Sequence, residues 1–272
     1  MSGIWVLTII FLISSLPVII VYVWFRLAKF QFSLIRFLLV LLAGAAAFFP
    51  ALLLQELLSF SFQNSRAALF FHHFIRIALT EEASRFFILL LFFWISGKIS
   101  SGKSSEHGSL ETSGSEEPQS LKPLNNQISF NVIKKATLSG LVAGLGFALL
   151  ENAVYAASDI NVALLRIITA AVHGACGSRI GAAAMMIRRQ PFQAILRIIT
   201  AVTIHGIYNL MLTMPGFSAI AAILIAVSAL FTSIVSISRW SDDTHNPPAE
   251  PAVTDTSQKS RTTTLDKDKD NS

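Results

Sequence analysis

The sequence predicts an all-helical membrane bundle of about seven spans, with its N-terminus outside and its C-terminus in the cytoplasm. Three observations carry this. Hydrophobic residues make up 53% of the chain, charged residues only 14%, and there are 21 phenylalanines in 272 residues, a composition that excludes a soluble globular domain. Apolar segments recur, each long enough to cross a hydrocarbon core of roughly 30 Å. Finally, the lysines and arginines outside these segments fall almost entirely on one side.

The segments follow in order. Residues 4–25 form the first span; with no basic leader and no small-residue cleavage site it reads as a retained helix. The second runs over 34–58, with Pro50 expected to kink it. Residues 61–79 are interrupted by Arg66, His72, His73 and Arg76 and read as an interfacial amphipathic stretch, the third span then starting near Leu79 and ending at Ile95. A start near Ala67 would carry the next residues towards the midplane. Residues 97–131 are Ser-, Gly-, Glu- and Lys-rich and read as a disordered loop. Four spans follow at about 136–157, 163–187, 192–213 and 217–238, and a polar tail closes the chain. The organisation expected is therefore 1–96 (three spans), 97–135 (cytoplasmic loop), 136–240 (four-span core) and 241–272 (cytoplasmic tail).

Alternating loops place fifteen basic residues on one side. They are Arg26, Lys29 and Arg36; Lys98, Lys103, Lys122, Lys134 and Lys135; Arg188 and Arg189; and Arg239, Lys259, Arg261, Lys267 and Lys269. Arg66 alone lies on the other. This asymmetry sets the orientation and accounts for the net charge of +5 without a nucleic-acid partner. The single cysteine, Cys176, excludes a disulfide framework and a thiolate metal cluster.

Several polar residues do not belong in lipid. Thr80-Glu81-Glu82-Ala83-Ser84-Arg85 heads an apolar run, and each ionised group at bilayer depth costs about 2.5 to 3.5 kcal/mol unless it faces protein or water. Glu81 and Arg85 are four apart and Glu82 and Arg85 three apart, so either carboxylate can meet the guanidinium. In the fourth span Gly140 and Gly144 make a close-packing face, and Phe147, Glu151 and Tyr155 stack one turn apart, with Asn152 beside them. The fifth carries His173 on the face of Gly177 and Gly181; the sixth carries His205 and, one turn on, Asn209. Counted from the outer ends of their spans, Glu151, His173 and His205 lie at depths of roughly 9 to 15 Å. They converge in the outer half of the membrane. His72 and His73 look interfacial, Cys176 reads as packing, Arg166 and Arg197 sit near helix ends, and Arg179 is deep enough to seek a carboxylate.

With these residues in place the chain resembles the PrsW-type intramembrane proteases, which belong with the CAAX-prenyl endoproteases in a wider membrane-protease superfamily. The resemblance rests on Glu81-Glu82-x-x-Arg85, Gly146-Phe147-Ala148-x-x-Glu151-Asn152-x-x-Tyr155, His173-x-x-x-Gly177 and His205-x-x-x-Asn209, in family order over about residues 65–240. Arg85 stands where family members often have lysine, so Arg85→Lys is expected to be mild. Glu151 stands where the prenyl-endoprotease branch has a histidine.

The resemblance implies an endopeptidase acting on membrane-anchored protein substrates, such as an anti-sigma factor, in the inner membrane of a bacterium. Two mechanisms follow. Glu81 or Glu82 activates water while His205 and Asn209 stabilise the oxyanion; or Glu151, His173 and His205 bind Zn²⁺ and Glu82 is the base. No H-E-x-x-H is present. Between the carboxylates, the i,i+4 geometry makes Glu81 the expected partner of Arg85 and Glu82 the expected base. The competing class is a transporter with an intramembrane Glu/His proton relay, against which the lack of an internal repeat counts.

Overall fold

The computed structural model describes residues 3–30, 32–59, 66–104, 130–156, 160–214 and 218–242. The chain divides into a unit of residues Met1–Trp240 and a tail of Ser241–Ser272. Of the disordered segments expected at 97–131 and 241–272, residues 105–129 and 243–272 lie outside the described residues, whereas 97–104, 130–131 and 241–242 are helical.

Every regular element among the described residues is helical: α1 (Gly3–Leu27), α2 (Leu34–Ala46), α3 (Phe48–Leu57), α4 (Arg66–Phe70), a π-helical segment (Phe71–Leu79), α5 (Thr80–Ser104), α6 (Phe130–Ala156), α7 (Ile160–Met186), α8 (Pro191–Thr213) and α9 (Ser218–Asp242). Taken as rods, with α2–α3 and α4–π–α5 each continuous, they correspond one to one with the seven expected spans. Among the described residues four stretches are long and apolar enough to cross a membrane: Leu34–Leu57, Asn131–Val154, Pro191–Thr213 and Ile220–Ser238. In α5 and α7 the polar residues treated below lower the hydropathy.

The break between α2 and α3 falls at Ala47, three residues before Pro50. The proline ring has no N–H for the Ala46 carbonyl and collides with it, so the distortion appears one turn upstream. The segment expected as a separate interfacial stretch runs as helix, without a break, into the expected third span: the chain is helical from Arg66 through Ser104, the continuity that a start near Ala67 requires. Lys98 and Lys103 therefore sit on helix rather than loop.

The bundle turns lipid-protein intuition inside out. Large apolar side chains such as Ile35, Leu42, Phe49, Leu53, Phe87, Ile199, Leu224 and Phe231 are exposed, whereas alanines, glycines and charged groups are buried. In water such a surface would aggregate; in a bilayer it is the solvated face. The interior is held by close backbone approach. A Cβ on Gly140 would meet the Gly177 carbonyl, one on Gly144 the His173 carbonyl, and one on Gly177 the Gly140 carbonyl. This glycine seam presses α6 against α7, and with no hydrophobic drive between helices in lipid, such packing supplies much of the association. It also fixes the His173 backbone against α6. On the opposite face of α6, Gly146 lies against the Leu41 carbonyl and Gly44 of α2 against Ala143.

Candidate active site

Glu81 and Glu82 occupy the first turn of α5, directly after the π-helical segment. A π turn leaves carbonyls without their usual i+4 donors and often marks a functional position. Here the Thr80 hydroxyl takes up the slack, donating to the carbonyls of Arg76 (2.7 Å) and Ile77 (2.9 Å). The Ser84 hydroxyl donates to Thr80 O at 2.7 Å. From the same segment, Phe74 packs where a side chain on Gly206 would otherwise stand. That contact brings α8, and with it His205, against the head of α5.

Arg85 is wholly buried and its guanidinium reaches across to other helices. Nη2 pairs with Glu82 Oε1 at 2.5 Å, Nη1 donates to His173 O at 3.2 Å, and Nε approaches Glu81 O at 3.4 Å. The group lies 4.7 Å from the centroid of the Phe147 ring, adding a cation–π contact from α6. Glu81 Oε2 is farther away, at 3.8 Å. The geometry therefore corrects the expected pairing. The closely held partner of Arg85 is Glu82, the i,i+3 residue, because His205 Nδ1 stands 2.8 Å from the same Oε1 and draws that carboxylate to the side where both donors reach it.

Glu81 is free to point elsewhere. Its Oε1 accepts a hydrogen bond from Gln55 of α3 at 3.1 Å, and Gln55 is in turn steadied by Arg76 Nε on its carbonyl oxygen at 3.0 Å. Oε2 faces His173 Nδ1 at 3.9 Å and His205 Nε2 at 3.7 Å. The two imidazoles meet edge to face, 4.9 Å apart. Each has its far nitrogen against a carboxylate: His205 Nδ1 on Glu82, and His173 Nε2 on Glu151 Oε2 at 2.7 Å, a close contact not aligned as a hydrogen bond. With those nitrogens carrying the protons, the lone pairs of His173 Nδ1 and His205 Nε2 face Glu81.

These three donor atoms all lie within 4.8 Å of one another. Donors about 2.1 Å from a tetrahedral Zn²⁺ stand about 3.4 Å apart, and the two gaps from Glu81 Oε2 to the imidazoles, 3.9 and 3.7 Å, are a few tenths of an ångström wider than that. The set also has what a metal site needs around it. Glu81 Oε2 and His173 Nδ1 are buried without a hydrogen-bond partner, which is costly for polar atoms unless something else meets them. The carboxylates behind each histidine are the arrangement that orients metal-ligating imidazoles. The residues fit a divalent metal.

The remaining expected site residues fall around this centre. Asn152 is fully buried next to Glu151, and Asn209 is half-buried one turn beyond His205. The side chain of Tyr155 lies outside the described residues. The ligand set expected from sequence, Glu151 with the two histidines, is corrected: Glu81 is the carboxylate that converges with them, and Glu151 backs His173 from the far side. Arg179 meets hydroxyls of α9 and the Ala175 carbonyl rather than a carboxylate. His73 is buried against other helices, with Nε2 3.2 Å from Thr213 Oγ1. Cys176 is a packing residue, its thiol on Ala201 O at 3.4 Å. Gln55 was missed; a lone amide in the apolar run Ala51–Leu57 was the signal that could have found it.

No curated protein and no solved structure matches the chain. A family model described as "PrsW family intramembrane metalloprotease" matches residues 33–236 of the 272, from the N-cap of α2 to within six residues of the end of α9. That stretch contains Gln55, the Glu81-Glu82-x-x-Arg85 turn, Glu151 and both histidines, and it sets the carrier reading aside. The chain belongs to the PrsW family, and is an intramembrane protease.

Proposed function

We propose that the chain cleaves peptide bonds of membrane-anchored proteins with water activated where Glu81, His173 and His205 converge, and that a divalent metal, Zn²⁺ first among them, is held by those three residues. The observation that carries the reading is the pair of buried, unbonded donors, Glu81 Oε2 and His173 Nδ1, aimed at one point from two helices. Bound there, the ion supplies Lewis-acid catalysis, making water a better nucleophile at neutral pH and polarising a carbonyl. The protein's own groups do the rest. Glu82 and Glu151 keep the imidazole tautomers fixed, and Arg85 keeps Glu82 in place while tying it to the His173 backbone. Glu82 Oε2, which carries no hydrogen bond, is the carboxylate oxygen left to take the proton from water and return it to the leaving amine. Asn209 and Asn152 are the amides we assign to the developing oxyanion.

One observation favours a second, metal-free form of the same reaction. Glu81 Oε2 accepts no hydrogen bond, so it can itself be the general base, with His205, protonated at both ring nitrogens, keeping Nδ1–H on Glu82 and donating from Nε2–H to the oxyanion. The two forms separate on purified protein. In the first, metal analysis finds about one equivalent, a tight chelator abolishes cleavage of a single-span substrate, and zinc restores it. Full cleavage in chelator by protein without bound metal selects the second.

The substrate class, an anti-sigma factor or similar single-span protein in a bacterial inner membrane, is inferred from the family resemblance. The orientation, N-terminus outside and C-terminus cytoplasmic, is inferred from the charge asymmetry. Cysteines introduced at Ser113 and Ser257 should be shielded from an impermeant thiol reagent in intact cells, and one at Ser158 should react. Labelling at Ser113 from outside would invert the topology and move the Glu–His centre to the cytoplasmic half.

A further inference from the structure

At the other end of the bundle a second polar site is built around the half-buried Arg179. Its guanidinium is oriented entirely by neutral oxygens: Nη1 donates to Ala175 O and to Ser233 Oγ, both at 2.8 Å, and Nη2 to Thr232 Oγ1 at 2.9 Å. Ser233 is itself fixed by Ser178, 3.1 Å away. These bonds hold the arginine still but bring no negative charge to it. The side chain lines a cavity of about 210 Å³ whose other walls, among the described residues, are Arg197 and the hydroxyls of Thr137, Ser178, Thr232, Ser233 and Ser236, with no aspartate or glutamate among them. Two guanidiniums among hydroxyl donors make a donor set that suits a phosphate group.

The cavity does not stand alone. A groove of about 510 Å³ shares Arg179 and Thr232 with it and continues between α8 and α9, walled by Ile204, Ile207, Leu224, Ile225, Ser228 and Ala229. Leu224 is 61% exposed on the lipid-facing surface, so the groove opens sideways to the bilayer. Arg179 lies six residues from His173 and Arg197 eight from His205, about 9 to 12 Å along their helices from the Glu–His centre. The displacement is towards the end bearing Lys134, Lys135, Arg188 and Arg189, where anionic headgroups gather.

We propose that cavity and groove together bind one anionic phospholipid, its phosphate between Arg179 and Arg197 and an acyl chain along the α8–α9 groove. A soluble phosphate would use only the polar half. The lipid uses both, and it ties α9 to the two helices that carry His173 and His205.

The test is native mass spectrometry of the delipidated full-length protein, titrated with phosphatidylglycerol, phosphatidylcholine or inorganic phosphate. Wild type should retain one phosphatidylglycerol about tenfold more tightly than phosphatidylcholine, and phosphate should not displace it. Arg197→Gln should weaken retention by about tenfold, the scale of one charge-assisted hydrogen bond. Ser228→Trp, at an exposed position, fills the groove while leaving both arginines in the chain and should weaken retention similarly, with an unchanged melting temperature. Equal retention of the two lipids overturns the proposal, and so does displacement by millimolar phosphate. Unchanged retention in a folded Ser228→Trp protein overturns it whatever Arg197→Gln does.

Discussion

Glu81→Gln should leave a protein that accumulates and melts like wild type but cleaves roughly 10² to 10⁴-fold more slowly, the range expected when a positioned proton-transfer group is lost. The amide is the same size as the carboxylate and keeps its contact with Gln55, which needs only an acceptor that the carbonyl of the substituted side chain provides. Arg85 retains Glu82, so no buried charge is stranded. What disappears is the anionic oxygen that faces both imidazoles. If a metal is held there, its content should fall in parallel with activity, because a neutral amide is a weak ligand for a divalent ion. Turnover of a single-span substrate, metal content and thermal melting on the same preparation decide the matter. Normal cleavage by this variant removes Glu81 from the reaction in both forms of the proposal.

That expectation runs against the assignment the sequence favours, and the reason is instructive. Spacing says which residues can meet on a helix, and both i,i+3 and i,i+4 satisfy Arg85. It does not say what approaches from another helix. His205, more than a hundred residues away, takes Glu82 Oε1 and so decides which carboxylate the arginine grips. The same limit explains the exchange of Glu151 for Glu81 around the histidines. Both carboxylates lie at a plausible depth, but only the three-dimensional turn of α6 shows that Glu151 stands behind His173. The helical rods themselves, the glycine seam and the burial of Glu81, Glu82, Arg85, His173 and His205 were legible, because each rests on a period or on a polar residue that lipid will not tolerate. The π-helical segment was not. Its residues, Phe71–Leu79, carry histidine and arginine that read as an interfacial helix, and nothing local announces a wide turn.

Glu82→Gln should behave differently from Glu81→Gln, and the contrast tests the geometry more sharply than either variant alone. Glu82 and Arg85 are both fully buried and in contact. Removing one charge of such a pair leaves the other without compensation, which costs about 3 to 5 kcal/mol. Membrane abundance and melting temperature should therefore drop along with activity, and His205 should lose the acceptor that fixes its ring. Adding Arg85→Met to Glu82→Gln removes the stranded cation, so abundance should recover while cleavage stays absent. A purely catalytic role for Glu82 predicts the opposite: a stable single variant that the second change does not improve. Arg85→Lys belongs to the same argument. An ammonium is a single point, whereas Arg85 reaches Glu82, the His173 carbonyl and the Glu81 carbonyl at once while lying on Phe147. The exchange is not conservative at a site of that kind. Lysine can keep the pair with Glu82 but must release the α7 backbone, so the variant should fold and cleave slowly, rather than being mild as the occurrence of lysine in relatives suggests. A fully active Arg85→Lys protein would mean that the link to the His173 carbonyl is dispensable, and that the glycine seam between α6 and α7 alone holds His173 in register with Glu81.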